Sequence, residues 1–272
     1  MPPTTTTAAG TTRRADVTSA DGTRIAVHVG GDGPPLVLVH GAAADHTRWR
    51  PVLPALEERF TVLAVDRRGR GGSGDTPPYA LAREVEDVAA VADAAGPGTI
   101  LLGHSHGAVC ALEAARLLPG LRALVLYEPP LGFVRWPAEV VGHLEALLAE
   151  GRRDELLEIF MREVAGLPAD QIALMRSLPA WRGRLAAAHT IPREERANRE
   201  YVFDPVRFAA IRVPTLMLTG GDSPPGFHAA ADAVAAAVPD CSVAVMPDQR
   251  HAAMDTGTAR FTAEVTAFLE RS

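Results

Sequence analysis

Lysine is missing altogether: all 27 basic side chains in the 272 residues are arginine. That excludes any mechanism running through a lysine amine, such as a Schiff base or a phosphate-loop lysine. Cysteine is nearly missing too. Cys110 and Cys241 are too few for a disulfide framework or a zinc cluster, and Cys110, in an Ala-rich stretch, reads as a small buried side chain. Aromatics make up only 5%, so the core has to be built from Ala, Leu and Val. No stretch approaches the ~18 consecutive apolar residues of a membrane span. The net charge is −6 with no basic block, so the clustered cations that nucleic acids or anionic membranes require are lacking. Arg13-Arg14 invites a twin-arginine export reading, but the polar ADVTSADGT follows where such a signal needs an apolar segment. Residues 1–14, rich in Thr, Pro and Gly, read as a disordered tail, and a cytoplasmic protein is expected.

What is present alternates. RIAVHV (Arg24–Val29) reads as a strand paired across Asp21-Gly22 with residues near Asp16–Ser19, and LVLVH (Leu36–His40) as a strand buried on both faces. A short helix near Pro51–Arg59, the strand TVLAVD (Thr61–Asp66) and a helix over Leu81–Ala95, stopped by Gly96-Pro97-Gly98, follow. The strand TILL (Thr99–Leu102), a helix over Ala108–Leu118 and the strand LRALVLY (Leu121–Tyr127) close the first half. The pattern resumes with PTLMLTG (Pro214–Gly220), a helix over Ala229–Val238, SVAVM (Ser242–Met246) and a helix over Arg260–Glu270. Val/Leu-rich strands alternating with helices predict an α/β sheet covered on both faces. Between the halves, Leu131–Ile211 has helical periodicity and no convincing strand, and is too long for a loop. The expected division is a core of 15–130 and 212–272 with a helical cap of 131–211.

The chemistry lies where TILL meets its helix, at Gly103-His104-Ser105-His106-Gly107. Strand, Gly-x-Ser-x-Gly and helix in that order make a nucleophile elbow. The turn strains the serine backbone and brings strand and helix so close that a Cβ two residues before or after would clash. The serine is lifted to a helix N-terminus, where amides and the helix dipole favour developing negative charge.

With these residues the chain resembles the α/β-hydrolase fold family, in its capped serine-nucleophile branch, over nearly everything from Asp16 onward. His40-Gly41-Ala42 resembles the family's oxyanion-hole loop, and Asp66–Gly74 its Asp-x-x-Gly-x-Gly-x-Ser loop. Leu218–Asp222 resembles the acid turn after the seventh strand, and Gln249-Arg250-His251 the histidine loop after the eighth. The resemblance implies a mostly parallel eight-stranded sheet flanked by helices. Ser105 would be the nucleophile, His251 its base and Asp222 the acid orienting it. The backbone amides of Ala42 and His106 would hold the oxyanion.

Two features depart from the usual pattern. The residue after the nucleophile is His106, whose side chain could line the pocket, donate to a polar substrate group or pack against the cap. His104 and His106 are not expected to act as the base, because the elbow turns neighbouring side chains away from the reaction. The sixth strand ends in Leu126-Tyr127-Glu128-Pro129-Pro130, and some relatives carry their triad acid as a glutamate there. Asp222 is favoured over Glu128 because it lies in the commoner position. Asp66 is expected to cap loop amides, and His28, His46, His143 and His228 to be isolated surface or packing residues.

The resemblance points to a cofactor-free serine hydrolase, with no metal, acting on a small, largely apolar ester, lactone or related acyl compound. Serine at the elbow argues against epoxide hydrolases and haloalkane dehalogenases, and the missing lysine against hydroxynitrile lyases. A lyase, cyclase or acyltransferase of secondary metabolism on the same scaffold, or a ligand receptor retaining the triad, stays open. Among the cap aromatics, Phe133 and Trp136 are the candidate pocket walls, with His106. The expected partner is a small-molecule substrate, with neither nucleic acid nor membrane, and the expected state a monomer or homodimer.

Overall fold

The computed structural model describes residues 13–164, 167–178 and 180–272, so residues 1–12 of the expected tail lie outside it. Arg13 and Arg14, assigned to that tail from sequence, instead begin a strand. The eight strands are β1 (Arg13–Thr18), β2 (Arg24–Gly30), β3 (Pro35–Val39), β4 (Thr61–Val65), β5 (Ile100–His104), β6 (Ala123–Tyr127), β7 (Thr215–Gly220) and β8 (Cys241–Met246). They form one sheet in the order β1-β2-β4-β3-β5-β6-β7-β8. β1–β2 and β2–β4 are antiparallel and every other pair is parallel.

Every residue of β5, β6 and β7 is buried, which is why these segments read as unbroken apolar runs instead of alternating. The helices α1 (Leu53–Glu57), α2 (Leu81–Ala95) and α3 (His106–Ala115) belong to the first half. One face of the sheet packs Val88, Val91, Val109 and Leu112 of α2 and α3; the other packs Leu56 of α1 and Phe261 and Val265 near the C-terminus. Among the described residues no helix is long and apolar enough to cross a membrane.

After β6 the chain leaves the sheet for α4 (Ala138–Ala149), α5 (Arg153–Ile159), α6 (Ala169–Ser177), α7 (Ala180–Ala187) and α8 (Ile191–Glu200), with a π turn at Phe160–Val164. These helices share a separate apolar cluster that includes Leu144, Leu157, Phe160, Trp181 and Ile191. One member comes from the core, Ala43 in the loop after β3. The chain then returns through β7 to α9 (Pro225–Ala237), and β8 is followed by α10 (Ala253–Thr256) and α11 (Thr258–Leu269).

The strand order positions the site. β4 lies on one side of β3 and β5 on the other, so the loops leaving β3 and β5 diverge and open a crevice at their carboxyl ends. The loop 40–43 and Ser105 face each other there. Gly41 stands so near that a Cβ on it would lie 2.9 Å from the Ser105 Cβ.

Candidate active site

The elbow has the geometry its composition demands. Ser105 adopts φ 56° and ψ −126°, a strained state for a residue with a side chain, worth ~1–3 kcal/mol. Its amide is anchored by donating to Tyr127 O at 2.9 Å. A Cβ on Gly103 would meet the Ala108 Cα at 2.5 Å, and one on Gly107 would meet Val39 O at 2.3 Å. Strand and helix touch backbone to backbone at both glycines, and Ser105 sits at the N-terminus of α3.

The histidine is held from several directions. His251 Nδ1 lies 2.6 Å from Glu128 Oε2, and the ring of Phe227 stacks on it at 4.7 Å between centroids. Its backbone carbonyl accepts from His104 Nε2 at 2.9 Å, and the Tyr127 hydroxyl donates to the neighbouring Arg250 O. His104, buried so that its pKa falls well below the ordinary value, is thus a neutral brace for the histidine loop. With its Nδ1–H donated to a carboxylate, His251 keeps the Nε2 lone pair for accepting a proton.

This corrects the expectation for Asp222. The carboxylate beside His251 is Glu128, fully buried, with its other oxygen accepting from Gly220 N at 2.7 Å. Asp222 is exposed. Its backbone is occupied, with N donating to Gln249 O at 3.0 Å and O accepting from Arg250 Nε at 3.0 Å. The physical reason lies in the two turns. Gly221 and Asp222 donate their amides to Met246 O and Gln249 O, which knits the β7 turn to the end of β8 and the histidine loop through backbone, and Ser223 N closes the turn on Gly220 O. Glu128 instead adopts a left-handed φ of 49°. Ahead of Pro129, which disfavours a right-handed helical state, that turn carries the glutamate under His251.

On the other flank, arginines fasten the loop after β3. Arg67 Nη1 donates to Gly41 O at 3.1 Å and His40 O at 3.3 Å. Its Nε and Nη2 grip Glu84 of α2 at 2.6 and 2.7 Å, and its Nη2 lies 3.3 Å from Glu194 Oε1 on α8. Although burial alone would raise it, Arg67 holds the Glu84 carboxyl well below the usual carboxylate range. Arg70 is also buried and pairs with Glu194; burial, then the like charge of Arg67, pulls its pKa down to about 9.

The His106 side chain lies in this cluster. It is fully buried, with Nδ1 2.9 Å from Asn198 Oδ1 on α8 and Nε2 3.6 Å from Glu84. It joins core to cap; it does not form an open pocket wall. Of the other pocket candidates, Phe133 is 44% exposed and packs near Phe203, while the carbonyl of half-buried Trp136 accepts from Arg199.

Two groups among the described residues bring three side chains of ligand type together. In the first, His28 Nε2 and His46 Nδ1 lie 3.1 and 2.7 Å from the two oxygens of Asp66, so these histidines are not isolated. Their rings stack at 3.4 Å between centroids and 12° between planes. Asp66 also caps the amides of His46 and Gly72 at 2.9 and 2.8 Å. The second group, Glu84, His106 and Cys110, is wholly buried in the arginine cluster, and burial pushes the Cys110 thiol far above its ordinary range.

Compared with known proteins, residues 36–264 match the model of the Alpha/beta hydrolase family. A solved alpha/beta hydrolase from Sphaerobacter thermophilus is 39% identical with a TM-score of 0.77, over 91% of this chain and 99% of that one. The pimeloyl-[acyl-carrier protein] methyl ester esterase of Xylella fastidiosa is 34% identical over 143 residues, 51% of this chain and 54% of that one. The Probable oxidoreductase EphD of Mycobacterium tuberculosis is 41% identical over 107 residues, 37% of this chain and 18% of that one. The chain thus spans about half or less of the length of these curated relatives.

Proposed function

Because this chain belongs to the alpha/beta hydrolase family, we propose that it is a cofactor-free serine hydrolase that cleaves a carboxylic ester, lactone or related acyl bond in a small, largely apolar molecule. Ser105 Oγ attacks the acyl carbon while His251 Nε2 takes its proton, and Glu128 stabilises the imidazolium that forms. The amides of Ala42 and His106 receive the oxyanion, where one such donor is worth ~10²–10³ in rate. His251 then protonates the departing alcohol, and water attacks the acyl-serine by the same route in reverse.

The observation that carries this reading is the 2.6 Å bond between His251 and the buried Glu128 carboxylate, at the foot of an elbow whose serine holds φ 56°. A fully buried carboxylate that is fixed by the Gly220 amide on one oxygen and turns the other to a half-exposed imidazole is arranged to orient a base. The methyl ester esterase among the relatives supports ester chemistry.

The test is a fluorophosphonate, which needs an activated serine and no knowledge of the substrate. One covalent adduct is expected, mapped to Ser105 by peptide mass, with turnover of a short p-nitrophenyl ester abolished in Ser105→Ala. Labelling that continues unchanged in His251→Ala would overturn the assignment of the base.

A further inference from the structure

The loop that faces Ser105 is fastened to the cap along its length. Arg67 donates to the carbonyls of His40 and Gly41, and Glu194 of α8 lies against the same guanidinium. Arg184 of α7 donates to Ala43 O at 2.8 Å. The Ala43 side chain, fully buried at a left-handed φ of 51°, is packed into the apolar cluster of the cap. The second proposed donor is tied to α8, since His106 Nδ1 meets Asn198. Every one of these bonds uses a carbonyl or a side chain, which leaves the amide of Ala42 free to receive an oxyanion.

We infer that Arg67 and Arg184 are positioning residues that make the oxyanion hole a joint product of core and cap, so that the seating of α7 and α8 sets where its donors point. The inference rests on the reading of the Ala42 and His106 amides as that hole. A rigid core loop would need no such ties. Here three of the loop's carbonyls, those of His40, Gly41 and Ala43, are gripped by arginines that are themselves cap residues or are paired with one. Donors pre-aimed at the developing charge work only if they are held there before the reaction. A sub-ångström drift of the loop should therefore weaken the transition state more than the substrate complex.

The experiment compares wild type with Arg184→Met, Asn198→Ala and, as control, Arg182→Met, whose exposed side chain has no bond to the loop. Hydrogen exchange of the peptide covering residues 40–45 is expected to speed up about tenfold in the first two variants, with β5 and β6 unchanged. On a p-nitrophenyl ester, kcat should fall about tenfold with KM within about twofold. Inhibition by a trifluoromethyl ketone, whose serine adduct carries the oxyanion, should weaken by the same factor as kcat. Exchange of 40–45 equal to wild type, or a loss confined to KM, overturns the inference. If wild-type Ser105 is not labelled by fluorophosphonate, the functional reading fails, and the exchange result still decides whether the cap holds this loop. Arg184 is partly exposed and Asn198 neutral, so these variants avoid the unfolding risk of emptying Arg67 from its buried pair.

Discussion

On the histidine side of the site, Glu128 is wholly buried, yet each oxygen has a donor, His251 Nδ1 on one and Gly220 N on the other. On the cap side, Arg67, Arg70, Glu84, Glu194 and Glu195 are all buried as well. There, Nε and Nη1 of Arg70, Oε2 of Glu194 and Oε2 of Glu195 find no partner among the described residues. The first arrangement is a single charge with its coordination completed by two rigid groups. The second is a set of opposed charges, Arg67 and Arg70 against Glu84 and Glu194, whose attraction has to offset the loss of water around each, with Glu195 buried beside them outside any ion pair among the described residues. Burial alone therefore does not distinguish these carboxylates; what sets Glu128 apart is that its two donors are an imidazole and a backbone amide, whereas Glu84 is gripped by a guanidinium.

The sharpest way to break that contrast is Glu128→Gln. The isosteric amide fills the same space but no longer compensates the imidazolium, so kcat should fall ~10⁴-fold with the fold intact by circular dichroism. A loss below about tenfold would mean that Glu128 only braces the loop.

Glu195 tests the cap side by stability. Burial, only partly offset by Asn198, pushes its carboxyl from 4.5 up to about 7. The folded chain thus keeps a proton that the unfolded chain releases near 4.5. No cost is felt below that pH, and stability drains away as pH rises toward 7. Glu195→Gln should be more stable than wild type by about 3 kcal/mol at pH 8 and nearly equal to it at pH 4. Thermal unfolding at the two pH values checks this, and equal differences at both would count against it.

Tyr127→Phe is a milder probe of the histidine side. It removes the hydroxyl that donates to Arg250 O and accepts from Ala253 N at 3.1 Å. Roughly a tenfold loss in kcat is expected from slight misplacement of His251, together with about 1 kcal/mol of stability. Smallest of all should be Asp222→Asn. Its exposed carboxylate makes no hydrogen bond among the described residues, so kcat should stay within about twofold of wild type. A loss approaching that of Glu128→Gln would return the acid to the loop after β7.

The strands and the elbow were legible in the chain because local rules govern them. β5, β6 and β7 are covered on both faces and so need continuous apolar runs, and Gly103 is demanded by backbone contact with Gly107 and Ala108 a few residues on, although the contact that demands Gly107 is with Val39 and His40 at the end of β3. The helix over Leu81–Ala95 was expected with the bounds it has, ended by Gly96 at φ 96°. The choice between Glu128 and Asp222 was not legible in this way. Both lie just beyond a strand that ends at the same sheet edge, and sequence order places either within reach of His251. The left-handed turn at Glu128 and the backbone knitting of the β7 turn decide it, and neither has a signature in residue type. The pairing of His28 and His46 on Asp66 was equally hidden, since His28 lies on β2, His46 in the connection after β3 and Asp66 just beyond β4.

The sequence by itself determined that this is a doubly covered α/β sheet with a serine raised at the joint of strand and helix. Periodicity, glycine spacing and composition act over a few residues, so the linear chain carries them. Tertiary structure alone decided which carboxylate meets His251 and which arginines hold the loop opposite Ser105. Those contacts join Glu128 to residue 251, Arg67 to Glu194 and Arg184 to Ala43. Only the closing of the sheet and the seating of the cap bring such distant residues within bonding range.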